Sequence, residues 1–146
     1  MALLTYTTEI EAKRSASEVV GILASHGAIG VMLSYDGKGV ITGIRFEVDT
    51  NSGLLSFRLP INAEAVLKVL ESQYRQKRIG PRYVNIEQAR RVAWRIIKHW
   101  VESQMALIEI NMVSIEEVFL PYLLIDNGVT LFEHMSDIRF RLPAPK

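Results

Sequence analysis

The stretch NIEQARRVAWRIIKHWVESQMALIEIN, residues 85–111, is the longest helical pattern in the chain, and the rest is read outward from it. Asn85 has the side chain of an N-cap, and Gln88 stands three residues on, as in a capping box. Glu87 suits the positive end of the helix dipole. No Gly or Pro interrupts Ile86 to Asn111. Ala89, Val92, Ala93, Ile96, Ile97, Trp100, Leu107 and Ile108 follow i, i+3, i+4, i+7 spacing, with Gln104 in the stripe. One face of this helix therefore packs on the remainder of the fold. The other side carries Arg91, Arg95, Lys98 and His99, with Arg90 and Trp94 beside it.

Charge changes sign along this helix. From Arg75 to Lys98 eight basic residues stand against the single acid Glu87, a net of +7. From Glu102 to Asp137 seven acids stand with no basic residue, a net of −7. The whole chain is +1, so a strong local field hides inside a near-neutral protein. A basic first half and an acidic second half oppose the helix dipole, which points to placement for something other than helix stability.

At 146 residues the chain has the size of one domain, 1–146, able to bury a core without staples. It has no cysteine, which excludes disulfides and thiolate metal sites and fits a reducing compartment. The opening MALLTYTTEIEAKR lacks the apolar run of a signal peptide, and no stretch reaches the ~20 residues that span a bilayer. The reading is cytoplasmic, with no membrane partner.

Thr5 to Ile10 reads as a first strand. Ser15 with Glu18 reads as a capping box opening a short helix with Ala16, Val19, Ile22 and Leu23 inward and Gly27 as its C-cap. Ala28 to Tyr35 is a strand apolar on both faces, expected inside a sheet. Asp36 to Gly39 is a hairpin turn, and Val40 to Val48 a half-buried alternating strand. Asp49 to Gly53 turns into a strand carrying Leu55, Phe57 and Leu59, stopped by Pro60. Asn62 caps a helix over Ala63 to Lys77, with Val66, Leu67, Val69, Leu70 and Tyr74 inward. Pro81 stiffens the link to the central helix. Ser114 with Glu117 caps a helix that Pro121 ends. Tyr122 to Ile125 suggests a short strand, Asp126 to Gly128 a turn, and Thr130 with Glu133 a last helix cap. The tail Ile138 to Leu142 reads as an edge strand or a mobile end. The fold class is α+β: an antiparallel-rich sheet, β-α-β-β-β in its N-terminal half, packed against a long central helix and a shorter one, with a short C-terminal helix or hairpin.

The runs ARRVAWRIIKHW (89–100) and SIEEVFLPYLLIDNG (114–128) resemble a group of small bacteriophage and prophage proteins. There an Arg-Arg and Trp-Arg helix precedes a Ser/Thr-x-Glu-Glu-x-Phe-Leu turn and a Gly-containing hairpin. The resemblance implies a viral or mobile-element origin, in the host cytoplasm, and carries no activity.

Catalytic chemistry is thin. His26, His99 and His134 lie on three different elements, so no metal site is expected. No Gly-x-Ser-x-Gly elbow exists, and the Gly37-Lys38-Gly39 run is a hairpin rather than a phosphate loop. Glu9, Glu11 and Lys13 would imitate the carboxylate-x-lysine strand of a metal-dependent nuclease if they alternated on a strand. No cofactor is implied. The basic cluster points instead to a non-enzymatic accessory protein. Arg78, Arg82, Arg90, Arg91, Arg95 and Lys98 would hold DNA or RNA phosphates, and Trp94 would stack on a base. The alternative is a protein–protein interaction module, as a homo-oligomer or an inhibitor of a host factor, since the +7 and −7 segments complement each other.

Overall fold

A computed structural model of the chain describes residues 1–145. The sheet follows from alternation. Ala28–Tyr35 (β1), Ile41–Thr50 (β2) and Gly53–Arg58 (β3) pair antiparallel in the order β1-β2-β3. At the first turn the Asp36 carboxylate accepts from the Lys38 and Val40 amides at 2.7 and 3.2 Å, an Asx-type turn. At the second, Gly53 takes φ of 101°, a conformation that side chains resist. Ile44, Phe46, Val48 and Phe57 point to one face and are buried. Arg45, Glu47, Leu54 and Arg58 take the other face by strand alternation.

Two expectations about strands fail. Thr5 to Ile10 is not a strand. Thr5 lies at φ of 57°, the Tyr6, Thr8 and Ile10 amides donate within local turns, and two of the segment's carbonyls go to a glutamine side chain. The Gln88 amide donates to the Tyr6 and Thr8 carbonyls at 2.8 and 3.0 Å, and Gln73 accepts from the Leu3 amide at 3.0 Å. Without that strand, β1 has one neighbour and becomes the sheet's edge rather than its interior. Apolar residues on both faces signalled burial, yet Ile29 and Met32 are 65% and 47% exposed.

The helices are Ala12–Ser25 (α1), Ala63–Arg75 (α2), Ile86–Glu109 (α3), Ile115–Phe119 (α4) and Leu131–Asp137 (α5). Helix α1 begins before the expected Ser15 cap. Ser15 is fully buried within it, and no side chain caps its start at Glu11. Gly27, at φ of 99°, follows its C-terminus as expected. Asn62 and Asn85 cap α2 and α3, accepting from the Ala65 and Gln88 amides at 3.0 and 2.8 Å. Gln88 does not return to the Asn85 amide; its side chain is used on the N-terminal segment. Both helices stop two residues short of expectation, where Lys77 and Asn111 turn left-handed. Val69 and Tyr74, expected inward on α2, are exposed. Capping boxes at Ser114–Glu117 and Thr130–Glu133 form as read.

The C-terminal part covers the far edge of β3 without forming a strand. Leu123 bridges Phe57, Leu124 bridges Thr130, and the Leu124 amide donates to the Ser56 carbonyl at 2.8 Å. The tail is not an edge strand either: Arg139 and Phe140 sit at φ of 55° and 58°.

The core lies between α1, α3 and the inner sheet face. Phe46 stacks on Phe57 at 5.2 Å, and Phe119 meets Phe46 edge-on at 5.5 Å. Trp100 closes on Phe119 at 5.5 Å and on Tyr122 at 5.6 Å. Each such pair adds about 0.5–1.5 kcal/mol beyond its area. Leu70, Ile79 and Ala89 centre a second cluster, on which Leu3 and Tyr6 rest. Among the described residues, no helix is long and apolar enough to cross a membrane.

Candidate functional site

The basic half of α3 turns toward α1. Arg95 is only 8% exposed. Its Nη1 donates to the buried Ser15 hydroxyl at 3.1 Å and to a Glu18 oxygen at 3.0 Å. The Ser15-x-x-Glu18 pattern, read as a cap, is the receptor for this guanidinium. Arg91 meets Glu11 at 3.2 Å and the Gln88 side-chain oxygen at 3.2 Å. His26 lies 3.8 Å from Glu109. The pairs 11–91, 18–95 and 26–109 ascend together, so α1 and α3 run in the same direction. Lys98 pairs with Glu102 one turn on, at 2.7 Å.

These pairs show in the carboxyl groups. Burial alone would push Glu18 up; the Arg95 charge and hydrogen bond, helped by Lys98 and Arg14, outweigh it and hold Glu18 below the ordinary glutamate value. The Lys98 hydrogen bond and charge likewise hold Glu102 low. Among the described residues, no buried side-chain nitrogen or oxygen lacks a partner.

The expectation that Arg91, Arg95 and Lys98 project outward without carboxylate partners is therefore corrected. Trp94, expected beside them as a stacking surface, is 1% exposed and belongs to the core. The spacing that puts Trp94 near the basic stripe also puts it on the boundary of the apolar face, and burial of a large ring decides. Arg78 is exposed and reaches the Met1 carbonyl at 3.5 Å. Arg82 is exposed and lies over the Tyr83 ring, 4.7 Å from its centre. Arg90 is half-buried and, among the described residues, makes no ion pair; it lines a cleft of about 410 Å³ with Glu11, Lys13, Tyr35, Glu87 and Arg91. Arg82 and Arg91 line a neighbouring cleft of about 400 Å³ with Glu9 and Glu11, so Arg82, Arg90 and Arg91 lie close together, while Trp94 and Arg95 are turned inward. The nuclease geometry is absent. Glu9 is in coil, Glu11 precedes α1, Lys13 is inside it, and Glu11 is engaged by Arg91. No group of three or more His, Cys, Asp or Glu among the described residues converges as a metal site.

What remains open is the edge of β1. Its regular ladder to β2 runs Gly30–Ser34, with register shifts at either end. No described strand pairs with its other side. The strand AIGVMLSY has no charge, no Pro, and Ile29, Met32 and Tyr35 exposed. Edge strands ordinarily carry charge or Pro that blocks further pairing. Reading β1 as interior hid this surface. The signal was available: a strand reached from a helix and left by a single hairpin needs a second neighbour to be interior.

The fold and this edge define an α+β domain with a three-stranded antiparallel sheet, covered on one face and unpaired on one side. No family model, curated protein or solved structure matches the chain.

Proposed function

We propose that this protein is a non-enzymatic interaction module that binds protein by adding a strand to the open edge of β1. The observation that carries the reading is an uncharged eight-residue edge strand with Ile29, Met32 and Tyr35 exposed. Main-chain pairing supplies affinity in such contacts, and alternate side chains supply selection. A phage or prophage origin and a cytoplasmic site belong to the same proposal. Nucleic-acid binding is the weaker reading, because Arg91, Arg95 and Lys98 already hold carboxylates of the same molecule.

The test is fluorescence anisotropy with a labelled, lysine-flanked peptide of the Ala28–Tyr35 sequence, titrated with the whole protein. Anisotropy rises and unlabelled peptide reverses it. Met32→Lys places a charge on the edge and abolishes the rise. No rise with the wild-type protein, or a rise that Met32→Lys leaves intact, overturns the reading.

A further inference from the structure

Resting on the edge-pairing reading, we infer that the partner of β1 is the β1 of a second copy, paired antiparallel about a two-fold axis through Met32. Three independent features of the chain converge on it.

The first is the order of side chains along the strand. Read outward from Met32, Val31 matches Leu33, Gly30 matches Ser34, and Ile29 matches Tyr35. Large faces large and small faces small when the strand meets its own reverse. Met32 is also the middle residue of the regular ladder, Gly30–Ser34. With no charge on the strand, the two copies meet without like-charge repulsion.

The second is Glu47. Glu47, on β2, pairs with Gly30 of β1, and its carboxylate lies 3.9 Å from where a Gly30 side chain would begin. Glycine leaves that carboxylate open toward the free edge. In the antiparallel pair the residue opposite Gly30 is Ser34 of the second copy, a hydroxyl donor for Glu47. The two-fold makes this contact twice.

The third is α1. It packs on both β1 and α3. Ser15 and Glu18 face Arg95, so helix periodicity turns Ser17, Gly21 and Ala24 to the side away from α3. All three are exposed, and a Cβ added at Gly21 meets nothing within 4 Å. Pairing β1 to β1 brings the two α1 helices alongside each other over one continuous sheet. Small side chains are what that close approach requires. An interface of one short strand and one helix side is small, so the dimer forms at high concentration and exchanges.

Light scattering across a concentration series reads the result. The wild-type mass rises from 16.5 kDa toward twice that value. Gly21→Arg, on an exposed helical position with open space, keeps the fold with a melting temperature no lower than wild type but holds the mass at the monomer. Because the chain has no cysteine, single cysteines report the register. Met32→Cys cross-links to itself under mild oxidation, since directly opposed antiparallel residues sit within disulfide reach. Gly30→Cys and Ser34→Cys form no cross-link alone and cross-link when mixed. A wild-type monomer at every concentration, or Met32→Cys cross-linking no faster than the exposed turn control Asn51→Cys, overturns the second copy as partner. If the β1 peptide still binds in that case, the edge-pairing reading stands and the partner is another protein. If the peptide fails as well, both fall.

Discussion

Removing the Arg95 guanidinium leaves the buried Ser15 hydroxyl and the Glu18 carboxylate without the cation between them. Breaking such a pair by deleting one partner costs more than the pair contributes, because the remaining charge stays desolvated. Glu18 keeps part of its surface in water, which moderates the loss. Arg95→Ala is expected to lower stability by about 2–3 kcal/mol in urea unfolding, whereas the exposed Arg75→Ala changes it by less than about 0.5 kcal/mol. The same pair sets a pH dependence. Glu18 and Glu102 are held below their unfolded value of 4.5. A carboxyl depressed in the folded chain contributes stability that is complete above the unfolded value and is lost as pH falls through the folded one. Melting temperature is therefore expected to be flat from neutrality to about pH 5 and to fall below about pH 4.5, with a shallower fall in Arg95→Met.

Elements were most legible where a local rule sufficed. The N-caps at Asn62, Asn85, Ser114 and Thr130, the turn at Asp36 and the alternation of β2 from Ile44 to Val48 need only near neighbours, and these form as read, though Gln88 does not close a box on Asn85 and Thr42 is exposed. Asn85→Ala is expected to cost about 1 kcal/mol, seen as a lower urea midpoint with an unchanged slope. Misreadings arose where a distant residue claimed a local signal. Ser15 and Glu18 have cap spacing but answer to Arg95, some eighty positions away. Thr5 to Ile10 has strand composition but is held by Gln88. Gln88→Ala leaves two carbonyls without their donor, so limited proteolysis is expected to cut residues 1–10 several-fold faster while the remaining domain resists. Equal cutting in both proteins would show that the glutamine does not hold the segment.

At the scale of the molecule, the two sheet edges are treated differently. The β3 edge is covered by Leu123 and Leu124, and the β1 edge is not. Leu124→Pro removes the amide that donates to Ser56 and is expected to open the covered edge. The prediction is new aggregation by light scattering that Met32→Lys, on the opposite edge, does not suppress. The charge asymmetry was legible in the sequence, but its meaning was not. The +7 segment finds carboxylates at the start of α1 and on it, Glu11 and Glu18, ahead of it in the chain, rather than only in the −7 segment behind it.

That arrangement also has a consequence during synthesis on the ribosome. Leu3 waits for Gln73, and Tyr6 for Gln88, partners 70 and 82 positions downstream. At translation rates of about 5–20 residues per second, the leading segment remains unanchored for roughly 4–16 seconds. The strands from Ala28 to Arg58 emerge first and can pair meanwhile, with the inner face carrying Ile44, Phe46 and Phe57 uncovered until α3 brings Trp94, Ile97 and Val101 into the same cluster.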